Sequence, residues 1–293
     1  MAEFHLAAST PAARARWLIL RHAAGPPLSI AHAPALTRAL RGALMRHGDQ
    51  PPAELLSGHR PDGRPSEGSH AAFVALPGDA LGTRERAIAA VAVVLPPGVP
   101  EVEAAAIADA VDAWQRADPL PDPRALGWGD RAPAGALFLP GGGEWWAERA
   151  DPPCFVDPPP ALVGPGRRWS TALPIALDRF PGHLEAEDPA RAADAARRAR
   201  ELVIAACRRA GLPAPVDVWI APRADLPGIP DAAVFAALAL RAGRPPQVLV
   251  HARLEFDVPI AGPLLLGRGR FFGLGLLVSL GDPVRPRSAL RAP

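Results

Sequence analysis

The order in which strand-like and helix-like hydrophobic patterns alternate is the feature that most constrains the fold of this chain. Short apolar runs typical of buried strands cover residues 15–22, 70–76, 88–95 and 136–139, and apolar side chains at helical spacing cover residues 34–47 and 100–117. Gly48 follows the first helical pattern, where helices often end. The first half therefore reads β-α-β-β-α-β.

The second half repeats this order less regularly. Its patterns predict a strand over residues 169–177, a helix over 188–210, and strands over 216–221, 247–256 and 272–280. Gly211 and Pro213 end the helix. Between the halves lies DPPCFVDPPPALVGPG, residues 151–166, whose proline content is typical of a connector.

This order predicts an α+β protein with two ferredoxin-like (RRM-like) domains in tandem. The expected limits are residues 1–150 for the first domain, 151–166 for the linker and 167–293 for the second domain, which carries a C-terminal glycine-rich loop. No apolar run approaches the roughly 18 residues needed to cross a bilayer. Cys154 and Cys207 form neither a disulfide framework nor a zinc pattern. We therefore expect a cytoplasmic protein with no membrane attachment.

Charge is distributed unevenly along the chain. Residues 1–100 hold 10 Arg and 7 acidic residues, residues 101–160 hold 4 and 11, and residues 161–293 hold 18 and 12. Two basic ends and an acidic middle suit an anionic ligand that contacts both ends. Chance segregation in a chain of net charge +2 is an equal alternative.

The segment GPLLLGRGRFFGLGL, residues 262–276, is the strongest candidate for a binding loop. Its glycines are Gly262, Gly267, Gly269, Gly273 and Gly275. Glycine lets the backbone approach a phosphate closely, and Arg268 and Arg270 supply positive charge. The segment lacks the Gly-Lys-Ser/Thr ending of a phosphate-binding loop and the dinucleotide-binding spacing. A glycine-rich hairpin shaped by sheet curvature explains the same pattern.

The segment SGHRPDGRPSEGSHAAF, residues 57–73, is the candidate for acid–base chemistry. It contains His59, Arg60, Arg64 and His70 in a flexible loop that leads into a strand. Imidazole titrates near neutral pH, so a loop His beside cations is suited to proton transfer. The spacing of the two His residues does not match a zinc motif, and no metal or other cofactor is expected. Ordinary surface His residues remain the alternative.

Two further features of the sequence each allow two interpretations. Trp145 and Trp146 resemble a base-stacking platform, but the neighbouring Glu144 and Glu148 favour a packing role. His251 lies in a predicted strand, where it would face either a groove or solvent.

Taken together, these segments resemble the CRISPR-associated RAMP superfamily of RNA-processing proteins. The matching segments, in order over about residues 12–280, are SGHRPDGRP, HAAFVALP, RRWSTALPIALDRFPG, CRRAGLPAPVDVWIAP, LPGIP and VHARLEFDVPIAGPLLLGRGRFFGLGL. Within the superfamily, the chain is similar to the RNA-processing half of the fused subunit of type I-U (I-G) CRISPR complexes. It departs from the family at PGDALGTRERA, which lacks a His/Asp/Gly-rich turn, and at Phe180 and Gly182, where a basic or His-containing version is more usual.

The resemblance implies a metal-independent endoribonuclease that cleaves CRISPR repeat RNA by attack of a 2′-hydroxyl, leaving a 2′,3′-cyclic phosphate. It also implies that the product stays bound with other subunits of a type I interference complex. We expect His59 and His70 to share the acid and base roles, and Arg60 or Arg64 to stabilise the phosphorane. The five glycines, Arg268 and Arg270 would hold RNA.

Two alternatives remain. The first is a non-catalytic RNA-binding subunit of the same complex. The second is an unrelated enzyme that acts on a small ligand and happens to have ferredoxin-like domains.

Overall fold

The computed structural model confirms a mixed α+β fold built on two antiparallel sheets. It describes residues 15–49, 53–66, 68, 70–78, 87–117, 133–139, 143–148, 150, 152–239 and 247–281. Most of PGDALGTRERA, the first residue of the expected linker, the start of the first expected domain (residues 1–14) and the end of the second (residues 282–293) lie outside these residues.

The first sheet has the strand order β2-β3-β1-β5-β4. The strands are β1 (Arg16–Ala24), β2 (Ala72–Pro77), β3 (Ile88–Leu95), β4 (Pro133–Phe138) and β5 (Glu144–Glu148). Strand β1 pairs with β3 from Arg16↔Leu95 to Arg21↔Ala90. Every residue of β2 is buried, which requires cover on both faces of that strand.

Sequence patterns predict the last strand of the first half at residues 136–139, but residues 136–138 belong to β4, at the edge of the sheet. The position beside β1 is taken by β5, which the patterns did not predict. Strand β5 has no clear alternation because its consecutive residues Trp145 and Trp146 are both buried. The packing interpretation of the two Trp residues is therefore confirmed.

The α-helices in the described residues of the first half are α1 (Ala33–His47), α2 (Glu54–Ser57) and α3 (Glu101–Ala117). Helix α1 buries Leu36, Leu40 and Leu44, which are four residues apart and so share one face. This face packs against α3 and β2. Helix α2 was not predicted, and it lies in the loop that carries the candidate His residues.

The second sheet has the order β10-β11-β6-β9-β7, and β8 also pairs with β9. Its elements are α4 (Pro160–Val163), β6 (Gly166–Thr171), β7 (Ile175–Ala176), α5 (Pro189–Arg209), β8 (Asp217–Ala221), α6 (Ala232–Ala239), β9 (Leu249–Ile260), β10 (Leu264–Leu265) and β11 (Leu276–Ser279). The predicted strand over 169–177 is two strands separated by a bend. The prediction of a strand over 272–280 is correct only from Leu276 onward, because the preceding loop turns tightly through its glycines.

One hydrophobic cluster spans the two halves, and a second lies within the second half. The largest buried cluster joins the first sheet to residues of the connector and of the second half, including Leu162, Phe235 and Leu276. The connector also packs on the first sheet, where the Val156 N–H donates to the Trp17 carbonyl at 2.7 Å. The domain limits stay a prediction. Every helix in the described part of the chain is too short or too polar to cross a membrane.

His251 of β9 is fully buried, so the prediction that it faces a groove or solvent is wrong. Its Nε2 lies 3.0 Å from the Pro230 carbonyl oxygen and its Nδ1 lies 3.0 Å from Thr171 Oγ1. A carbonyl can only accept, so Nε2 carries the proton and the Thr171 hydroxyl donates to Nδ1. Thr171 Oγ1 in turn accepts from the Ala252 N–H, at 3.1 Å. The site holds a neutral imidazole.

We expect this imidazole to make folding stability depend on pH. Burial lowers the pKa of His251 from 6.5 to about 4, against opposing effects of the Pro230 hydrogen bond and of Asp231. The unfolded chain therefore binds a proton more readily than the folded chain, and stability falls as the pH drops from 6.5 towards 4. The loss should approach about 3 kcal/mol.

Urea unfolding at several pH values, compared with His251→Gln, measures this effect. The Gln variant cannot titrate, so its stability should fall less between pH 7 and pH 4 than that of the parent chain. Identical pH dependence in the two proteins would contradict the assignment.

Candidate functional site at the contact of the two halves

His70 precedes β2 and is half-buried against the second half of the chain. Its ring lies 3.8 Å, centroid to centroid, from the ring of Phe271. Its Nδ1 is 3.1 Å from the carbonyl oxygen of Ala71. Because the carbonyl accepts, Nδ1 carries the proton of the neutral ring and the lone pair is on Nε2. Nε2 is therefore the atom that can take a proton.

The turn over residues 57–66 packs its backbone at Gly58 against the His70 ring. It is closed by hydrogen bonds from the Arg60 N–H to the Arg64 carbonyl at 2.8 Å and from the Ser66 N–H to the Gly58 carbonyl at 2.9 Å. Gly58 has φ +67°, and a Cβ there would lie 3.0 Å from Nε2 of His70. Glycine is required at this position by both the conformation and the close approach.

His59, the next residue, is exposed, and its Nδ1 lies 2.9 Å from the Ser57 carbonyl oxygen. It is among the groups whose charge acts on His70. The structure thus brings together two His residues that are eleven positions apart in the sequence.

The glycine-rich loop crosses from the second half to the edge of the first sheet. The Phe73 N–H of β2 donates to the Phe271 carbonyl at 3.2 Å, and Phe73 and Phe272 form a parallel bridge. Gly273 lies against α1, where a Cβ would come within 2.6 Å of Thr37 Oγ1. These contacts are what place Phe271 on His70.

Arg41 of α1 is a candidate residue that the sequence did not reveal. Its guanidinium donates to the Ser57 carbonyl and lies 5.4 Å from the ring centroid of Phe272. Arg270 lies 4.4 Å from the ring centroid of Phe271, on the other side of the contact between the halves. The sequence offers one indirect signal for Arg41. It lies one helical turn after Thr37, the residue of α1 that Gly273 of the loop contacts, but this contact is known only from the structure.

The surroundings of His70 favour its neutral form. Burial is the main effect that lowers its pKa, and the charges of Arg41, Arg270 and His59 lower it further, against the hydrogen bond to Ala71. A neutral imidazole flanked by guanidinium groups can accept a proton beside a bound anion.

Arg60 and Arg64, the predicted phosphorane-stabilising residues, both lie in the 57–66 turn. The Arg64 Nε lies 3.7 Å from the Asp62 carboxylate, and both side chains of this pair are exposed. The arginines whose charges act on His70 are instead Arg41 and Arg270.

The glycines of the loop are explained by packing within the protein. Gly267, Gly273 and Gly275 have φ of +85°, +75° and +70°. A Cβ on Gly267 would lie 2.5 Å from the Ala176 carbonyl oxygen, and one on Gly275 would overlap the Leu266 carbonyl oxygen.

Several N–H groups of the loop are also engaged within the protein. Gly262 donates to Val163 at 2.7 Å, Arg268 to Ala176 at 3.0 Å and Gly275 to Pro174 at 2.9 Å. Gly269 is buried against Leu274, and the Arg268 side chain is exposed. Ligand contacts by this loop are therefore best sought at its Arg and Phe side chains.

Among the residues that the structure describes, no three His, Cys, Asp or Glu side chains come together to hold a metal ion. A scan against models of known protein families gives no match, and a search of curated proteins gives none.

Proposed function

We propose that this chain is a metal-independent endoribonuclease that cleaves CRISPR repeat RNA and then retains the product in a type I interference complex. The observation that carries the proposal is the position of His70: a half-buried imidazole with a lowered pKa that contacts the glycine-rich loop and is flanked by Arg41 and Arg270. Such a group suits proton abstraction next to a phosphodiester.

In the proposed reaction, Nε2 of His70 takes the proton of a ribose 2′-hydroxyl as the 2′ oxygen forms a bond to the adjacent phosphorus. The bond from phosphorus to the 5′ oxygen breaks, and protonated His59 gives its proton to that leaving oxygen. The products are a 2′,3′-cyclic phosphate and a 5′-hydroxyl. The arginines stabilise the charge of the phosphorane.

The arrangement of strands supports the proposed pair of ferredoxin-like domains. The orders β2-β3-β1-β5 and β8-β9-β6-β11 both place the first strand of the unit between its third and its last. This is the arrangement of a split β-α-β unit. In the second half, the glycine-rich loop occupies the chain between β9 and β11, where the second helix of such a unit would come.

Incubating the purified chain with a cognate repeat RNA in EDTA tests the proposal. We expect one cut that leaves a cyclic phosphate and a 5′-hydroxyl, and no cut in RNA whose attacking 2′-hydroxyl is replaced by hydrogen. Binding should weaken steeply with salt because cations on the protein displace counterions from the phosphates. Failure to bind repeat RNA at moderate salt would contradict the proposal and favour a small-ligand enzyme.

A non-catalytic RNA-binding subunit is the second candidate. The close contact of Phe271 with the ring of His70 favours it, because this contact covers part of the imidazole. Tight binding of repeat RNA without any cleavage, in both EDTA and magnesium, would support this candidate over the nuclease.

A further inference from the structure

Basic side chains from both halves of the chain act electrostatically on His70. The charged groups that act on His70 are Arg41 from α1, Arg270 from the glycine-rich loop and His59 from the 57–66 turn. All three are basic. Groups of like charge repel one another, and a bound anion relieves that repulsion.

Contacts on both sides hold Arg41 at this point. Its guanidinium donates to Ser57, the neighbour of the Gly58 backbone that touches His70. It also lies over the ring of Phe272, the neighbour of the Phe271 ring that touches His70. The two contacts hold the guanidinium near enough for its charge to act on the imidazole.

Arg270 is held in a comparable way from the second half. It lies over Phe271 and its Nη1 is 3.5 Å from the Gly267 carbonyl oxygen. Burial lowers its pKa, against the opposing effect of Asp178, which itself forms an ion pair with Arg209. Arginine stays protonated in such surroundings, so a partly desolvated positive charge remains at the site.

We propose that Arg41 and Arg270 together bind one phosphate group beside His70, so that the anion bridges the two halves of the chain. Identifying this group as the scissile phosphate rests on the proposed nuclease function, but the anion site itself does not. Arg60 and Arg64, which the sequence suggested as phosphorane-stabilising residues, would then not contact the scissile phosphate. Their backbone groups close the 57–66 turn.

An NMR titration of the full chain with inorganic sulfate tests the site without RNA. Sulfate resembles phosphate and keeps a constant charge through the titration of imidazole. We expect saturating sulfate to raise the pKa of His70 by about one unit, since a nearby anion favours the charged ring. Sodium chloride at equal ionic strength should not do so, and His70→Asn assigns the signal.

The matched variants are Arg41→Gln, Arg270→Gln and Arg46→Gln. Arg46 is exposed on the same helix as Arg41. We expect the first two variants to lose most of the sulfate response and to raise the pKa of His70 in sulfate-free buffer, whereas Arg46→Gln should behave as the parent chain. If Arg41→Gln does not fold, Arg41→Lys keeps the charge and should bind sulfate more weakly.

The outcomes separate this inference from the proposed function. No response of His70 to sulfate, or a full response in Arg41→Gln and Arg270→Gln, would overturn the phosphate site. An intact sulfate response in a chain that does not cleave repeat RNA would overturn only the nuclease.

Discussion

Replacing His70 with Ala should slow cleavage of repeat RNA by about 100- to 10,000-fold, which corresponds to about 3–5 kcal/mol of activation free energy. The expected loss follows from the removal of the proposed base at Nε2, whereas RNA affinity should change much less. Single-turnover cleavage and equilibrium binding, measured on the same preparation, separate the two effects.

The variant His70→Asn tests whether a slower rate comes from lost structure rather than from the lost base. Its amide can still donate towards the Ala71 carbonyl but cannot act as a base. His47→Asn, at the end of α1, is the control that should retain the parent rate. In the parent chain, the rising limb of the pH–rate profile should have its midpoint below pH 6.5, because the pKa of His70 is lowered from that value. Cleavage at the parent rate by His70→Asn would exclude His70 as the base.

Replacing Gly275 with Ala should lower the free energy of unfolding by at least about 3 kcal/mol. Gly275 has φ +70°, and a Cβ there would overlap the Leu266 carbonyl oxygen, which is backbone and cannot rotate away. The substitution therefore combines an unfavourable backbone conformation with a steric clash. Urea unfolding of the purified variant measures the loss.

Gly211→Ala is the matched control for this prediction. Gly211 has a similar φ of +75°, but nothing lies within 4 Å of a Cβ built on it. Gly211→Ala should therefore lower the free energy of unfolding by only about 1 kcal/mol, the part that comes from the backbone conformation. Equal losses in the two variants would mean that the close packing of the loop does not contribute.

The elements of the first half were largely predictable because their hydrophobic periods are clear. Helix α1 ends at His47, and β3 covers residues 88–95, as the patterns predicted. The exceptions have physical reasons. Strand β5 buries two consecutive Trp side chains, and in the second half α6 is so uniformly apolar that its sequence shows no helical period.

The candidate site was predictable only in part. The turn with His59 and the loop with Arg270 stood out through local composition, since glycine, histidine and arginine cluster there. Arg41 did not, because an Arg on a helix is usually solvated and only tertiary packing brings it to His70. The loop glycines suggested room for a phosphate, whereas the structure fills that space with the protein's own backbone.

The pairing of the glycine-rich loop with the edge of β2 also has a consequence during synthesis on the ribosome. The turn and His70 are translated long before residues 262–275, which complete the site. A nascent or truncated chain that ends before the loop has His59 and His70 but neither Phe271 nor Arg270. If the chain is the proposed nuclease, RNA processing would begin only with molecules whose translation has passed the loop, because unfinished chains lack Arg270 of the proposed phosphate site.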